Sequence, residues 1–190
     1  MFLTFVAGIA FLAVPAFASA NEYEAGLRKL IDTDIRTWAQ SDEVVSAIKA
    51  QNAANASLDQ SGVDAKDKEW RAEIKGGDQK LINAVLGNAL SGYLKGIKDK
   101  SEGLYTEIFV MDNKGLNVGQ SDITSDYWQG DEAKWQKSYG AGPDGVLIDE
   151  VEFDDSSQTY QSQVSITIVD PGSKKPIGAV TVGVNIELLD

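Results

Sequence analysis

The 190-residue chain contains no cysteine and no histidine. Without cysteine there is no disulfide, no thiolate nucleophile and no thiolate metal ligand. Without histidine the commonest general base and the commonest zinc ligand are missing. Ser-His-Asp and Cys-His nucleophilic catalysis are excluded, as is haem held by His or Cys. Positive charge is also scarce. Seventeen Lys and Arg face 29 Asp and Glu, a formal net charge of −12. Such a field disfavours nucleic acid and anionic lipid surfaces as partners. Long apolar runs are absent beyond residue 20, so no later segment suits a membrane span.

One apolar run is present, at the start. Residues Met1 to Val14 carry no charged side chain, Pro15 breaks the run, and Ala18-Ser19-Ala20 places small residues where a signal peptidase reads. The segment resembles a secretory signal peptide, although no Lys or Arg precedes the apolar run. The competing reading is an uncleaved anchor. The run sits at the lower length limit for a span, and its small-residue ending favours cleavage after Ala20. The expected organisation is therefore a signal peptide over 1–20 and one domain over 21–190. It would be periplasmic or secreted and soluble after cleavage. About 170 residues suffice for a core without disulfides.

Residues Glu22 to Ala50 read as a long helix, with Leu27, Leu30, Ile31, Ile35, Trp38, Val45 and Ile48 at spacings of three and four. The stripe thins at Gln40-Ser41-Asp42-Glu43, a place for a kink or a new cap. Asp64 to Ile74 reads as a second helix, ended by Gly76-Gly77. Asp78 then caps a third, whose apolar face runs from Leu81 to Ile97. Strand patterns follow at Leu104–Met111, Leu116–Gly119, Val146–Phe153, Thr159–Val169 and Ile177–Leu188, with turn residues between them. Helices gathered ahead of an antiparallel meander predict an α+β domain.

The connection between the second and third strands is unusual. Asp126 to Tyr139 holds two of the four Trp and two of the six Tyr. Aromatics in a long connection point to a lid over a cavity or to a stacking surface. The strands supply a place for it. Val164, Ile166 and Ile168 share a face with Val180, Val182 and Val184, whereas Gln163, Ser165, Thr167, Thr181, Gly183 and Asn185 point the other way. The aliphatic face suits the long helix. The polar face is either wet or roofed by the aromatic crossover to form a pocket.

Three segments carry a family resemblance: Phe109-Val110-Met111-Asp112-Asn113-Lys114-Gly115, Asp126-Tyr127-Trp128-Gln129-Gly130-Asp131-Glu132, and Ile177-Gly178-Ala179-Val180-Thr181-Val182-Gly183-Val184. In their order and spacing, behind a long helix, the chain resembles an extracytoplasmic PAS-like sensor domain of the Cache (PDC) class. The resemblance implies a five-stranded antiparallel sheet with a ligand pocket under the crossover, and ligands such as amino acids, carboxylates or amines. It also implies signalling through a membrane partner and a homodimer built on the N-terminal helix. Because this sequence ends just after its last strand, the expectation is a free module acting through a separate membrane partner. No enzyme activity, cofactor or metal is expected.

The candidate ligand-binding residues are Tyr127, Trp128, Trp135 and Tyr139 in the crossover, Gln163, Ser165 and Asn185 on the polar face, and Asp170 at the turn between the last two strands. Trp135 and Tyr139, four apart, share a face of a short helix and have packing as an alternative role. Asp126, Asp131 and Glu132 could neutralise an amine and Lys134 or Lys137 a carboxylate, though solvated charge is the plainer reading. The acidic run Asp149, Glu150, Glu152, Asp154 and Asp155 matches no calcium loop and reads as a solvated hairpin. The alternative to a ligand-binding module is a protein-interaction module with a closed core.

Overall fold

A computed structural model describes residues 21–155 and 157–190; the expected signal peptide lies outside the described residues. The long N-terminal helix is built in pieces: α1 (Glu24–Leu30), a π-helical turn (Ile31–Ile35), α2 (Arg36–Ala39) and, after a break, α3 (Asp42–Ala54). The break falls where the apolar stripe thins, and the Ser41 hydroxyl caps α3 by accepting from the Val44 N–H. Next come α4 (Gln60–Ile74), α5 (Lys80–Leu86) and α6 (Ala89–Lys100).

Two expectations about these helices change. The apolar face from Leu81 to Ile97 belongs to two helices, because Asn88 starts a new one by accepting from the Ser91 N–H at 2.8 Å. Asp78 does not cap α5. Glu73 of α4 does so across the turn, its carboxylate accepting from Leu81 N at 3.0 Å and Ile82 N at 2.9 Å. A cap supplied from a neighbouring helix leaves no local sequence signature.

The strands are β1 (Tyr105–Met111), β2 (Asn117–Gln120), β3 (Val146–Asp154), β4 (Thr159–Val169) and β5 (Pro176–Asn185), and Ile186–Leu188 forms a 3-10 turn. They make one antiparallel sheet in the order β2-β1-β5-β4-β3. The last three strands are the expected meander, and the first hairpin joins it through β1 and β5. The architecture is α+β, with helices packed on a five-stranded antiparallel sheet.

The two faces divide as the alternation predicts. Val164, Ile166, Ile168, Val180, Val182 and Val184 are buried against Leu27, Ile31, Ile35, Val44 and Ile48. Each such side chain contributes about 1.5–3 kcal/mol by leaving water. A second core, between α4, α5 and the crossover, contains Val63, Trp70, Ile82, Val85, Leu116 and Tyr127. The crossover itself carries α7 (Ala133–Gln136) and a 3-10 turn (Tyr139–Ala141), which pack over the polar face of β4 and β5.

Asp112, fully buried at the β1–β2 turn, ties these parts together. Its Oδ1 accepts from Lys114 N at 2.8 Å and Leu116 N at 3.0 Å. Its Oδ2 accepts from Gln51 Nε2 at 3.0 Å and Asn55 Nδ2 at 3.2 Å, both on or just after α3. Its carbonyl accepts from the Trp135 indole at 3.1 Å.

Candidate functional site

The crossover is clamped from outside by α4. Asp67 Oδ1 accepts from Tyr127 N at 2.9 Å and Trp128 N at 3.0 Å, while Arg71 pairs with both Asp67 and Asp126 at 2.6 Å. This clamp determines where the aromatics go. Tyr127 turns inward and stacks on Trp70, with ring centroids 5.4 Å apart, in the helical core. Burial pushes its hydroxyl pKa up. Trp135 and Tyr139 stack on each other at 4.8 Å and pack over Phe109, Met111 and Ala179, filling the upper half of the polar sheet face. Trp128 is half-buried on the outer side of the crossover, its indole donating to Lys114 O at 2.8 Å.

The lower half of that face stays open. A cleft of about 270 Å³ lies between the crossover and the sheet, lined by Glu132 and Lys134 from above, Gln161 and Gln163 from β4, and Asp149, Glu150 and Glu152 from β3. Behind Gln163 stands Glu107 of β1, a half-buried carboxylate accepting from Gln163 Nε2 at 2.8 Å. Burial pushes its pKa up, against the pull of the Lys134 ammonium and the Gln163 bond. Lys134 pairs with Glu132 at 2.7 Å and sits 5.6 Å from the centroid of the Phe109 ring. Gly183 keeps the floor low: a Cβ there would lie 2.2 Å from Thr106 Oγ1 and 2.6 Å from Gln161 Oε1, two atoms that are themselves hydrogen-bonded.

The eight candidate residues are therefore dispersed. Gln163 lines the cleft. Asn185, paired in register with Gln161, is next to it, but its side chain caps the terminal 3-10 turn by accepting from Glu187 N at 3.0 Å. Ser165 is fully buried and bonded to Thr181 at 2.9 Å. Asp170 is seven residues from Gln163 along β4 and its following turn, a path of roughly 23 Å. There it pairs with Lys49 of α3 at 3.0 Å and accepts from Ser173. Those bonds hold its carboxyl down at about 2.

Glu107 and Gln161 escaped the sequence reading. Glu107 did leave a signal, as the lone carboxylate inside the apolar run Tyr105 to Met111. Gln161 left none, because its position next to Gly183 depends on strand pairing. Chemically, the cleft offers carboxylates, amide groups and one ammonium. Among the described residues no group of side chains suits a metal ion, and no helix is long and apolar enough to cross a membrane.

No protein-family model matches the chain, and no curated protein does. Solved structures with a similar chain path include three bacterial sensor domains. The E. coli DcuS sensor domain is 14% identical, with 87% of this chain and 96% of that one covered and a TM-score of 0.49. The V. cholerae histidine kinase DctB sensor domain is 11% identical, with coverage of 87% and 55% and a TM-score of 0.45. The ligand-binding domain of the Campylobacter jejuni chemoreceptor Tlp3, in complex with 4-methylisoleucine, is 15% identical, with coverage of 85% and 64% and a TM-score of 0.41. The chain thus spans little more than half of the DctB domain and under two thirds of the Tlp3 domain. At these identities and scores, the chain is similar to these sensor domains in path alone.

Proposed function

We propose that this chain is an extracytoplasmic sensor module that binds a small molecule in the cleft between α7 and the polar sheet face, and acts through a separate membrane partner. One observation carries the reading: Glu107, the lone carboxylate of β1, is held half-buried behind Gln163, a wall of the open cleft. A half-buried carboxylate is costly, and one whose pKa is raised by burial beside a cleft is a candidate functional group. Of the three ligand classes implied by the resemblance, the charges favour amines. Glu132, Asp149, Glu150 and Glu152 line the cleft and Glu107 lies behind Gln163, against the single cation Lys134.

The test is a thermal-shift screen of amines, amino acids and organic acids. An amine that raises the melting temperature of the wild type, with the response lost in Glu107→Gln and Gln163→Ala, supports the proposal. Silence across the whole panel contradicts it. Export rests on the leader, and amino-terminal sequencing of secreted protein should begin at Asn21. A homodimer through the first helix would cover the groove lined by Leu30, Asp34, Trp38, Ile97 and Leu104, and sedimentation tests it.

A second reading, a protein-interaction module, is favoured by the exposed Phe153–Tyr160 pair on the edge hairpin β3–β4. It gains if Phe153→Ser with Tyr160→Ser abolishes partner capture while no small molecule shifts the wild type.

A further inference from the structure

Trp128 and Trp135 do not line the cleft under α7, yet both face another. It lies on the outer side of the crossover, against the start of α4 and the β1–β2 turn. It measures about 300 Å³, the small end of the range for binding pockets, and its walls include Leu58, Asp59, Val63, Lys114, Trp128 and Trp135. We infer that this is a second, separate site, which takes a small aromatic monocarboxylate between the indoles with its carboxylate on Lys114.

Both indoles are tied to the β1–β2 turn. Each has its only polar atom already engaged, Trp128 Nε1 on Lys114 O at 2.8 Å and Trp135 Nε1 on Asp112 O at 3.1 Å. What they offer a ligand is the carbon surface left uncovered by Tyr139 on Trp135 and by the helical core on Trp128. Trp128 lies close against the backbone of Gly130, where an added Cβ would run into its indole, and packs on the helical core. Rings so placed stack on an aromatic guest without ordering themselves first.

The polar part of the site depends on which charge is free. Asp59 is occupied as the N-cap of α4, its Oδ1 accepting from Ser61 Oγ at 2.8 Å and Gly62 N at 2.9 Å. The Gly62 bond, then the Ser61 bond, lowers its pKa. Lys114 is half-buried, and among the described residues no carboxylate pairs with its ammonium. Asp59 keeps its negative charge, but that charge is set against the positive end of α4, which it caps. Lys114 has no counter-charge among the described residues, so the guest that complements it is an anion.

Benzoate and phenylacetate are the probes, with benzylamine and acetate as controls, read by tryptophan fluorescence on the folded chain. Either acid should quench saturably below about 10 mM, a weak but specific affinity, and neither control should do so. Lys114→Gln, whose parent side chain makes no hydrogen bond or ion pair among the described residues, should weaken binding at least about tenfold. Asp59→Asn still caps α4 and should bind as tightly or more so. Glu107→Gln, in the other cleft, should leave the affinity unchanged. The inference is overturned by any of four results: no saturation with either acid, equal or tighter binding of benzylamine, an unchanged affinity in Lys114→Gln, or loss of binding in Glu107→Gln. The last would place the acid in the cleft under α7.

Discussion

Asp112 is the residue whose removal should damage the domain most for its size. Asp112→Ala strips the acceptor from four donors. The side-chain amides of Gln51 and Asn55 can turn to other partners. The backbone N–H groups of Lys114 and Leu116 cannot, because the turn fixes them and Leu116 is fully buried. Stranding a buried donor costs about 1–3 kcal/mol, more where the lost acceptor is charged. Two stranded amides plus the weakened link to α3 give about 3–5 kcal/mol. For a domain of this length each kcal/mol moves the melting temperature about 2–4 °C, so the loss should be about 6–20 °C. Asp112→Asn keeps Oδ1 and should cost about 1–2 kcal/mol, because its amide then faces Gln51 and Asn55, which can present their oxygens. Urea denaturation with calorimetry measures both variants. An alanine variant within about 1 kcal/mol of wild type would refute the hub as described.

Three further outcomes follow from the same geometry. Glu107 has a raised pKa in the fold, so the folded state binds the proton more tightly than the unfolded one. Stability should therefore fall as pH rises from 4.5 through the folded value, and Glu107→Gln should flatten that part of the urea-midpoint profile; an unchanged profile counts against the burial argument. Asp170 has the opposite sign. Its contribution is present above 3.8 and disappears as pH falls to about 2, so Asp170→Asn should match wild type near pH 2 and be the less stable above pH 4. Tyr127→Phe should leave stability within about 0.5 kcal/mol of wild type, because its hydroxyl has no partner among the described residues. Tyr127→Ala should cost about 3–5 kcal/mol by opening the stack on Trp70. If Tyr127→Phe alters ligand response without altering stability, Tyr127 reaches a site after all.

The sheet was legible because alternation is a local signal. Val164, Ile166 and Ile168 against Val180, Val182 and Val184 announce one buried face within a few residues, and Thr159–Val169 could be bounded directly. The breaks in the helices were legible where the capping residue is local, as at Ser41, and hidden where it is not, as with Glu73 capping α5. The crossover shows the same division. Its aromatic content was plain, but the direction of each ring depends on Asp67 and Arg71, some sixty residues earlier. One clamp sends Tyr127 into the helical core and leaves Trp128 half-buried at its margin. The cleft's floor is hidden for a like reason: Glu107, Gln161, Gln163 and Gly183 converge only once β1, β5 and β4 pair in register.

The proposed ligand sits between Lys134 and the floor formed by β4. Nitrogen-proton correlation spectra test it directly, because Gln161 and Gln163 each carry a side-chain amide that reports on the cleft. Titration with the amine panel should bring a saturable shift of both amides, lost in Glu107→Gln. If no amine, amino acid or organic acid moves them, or if shifts appear only at the indole N–H groups of Trp128 and Trp135, the cleft under α7 is not the site.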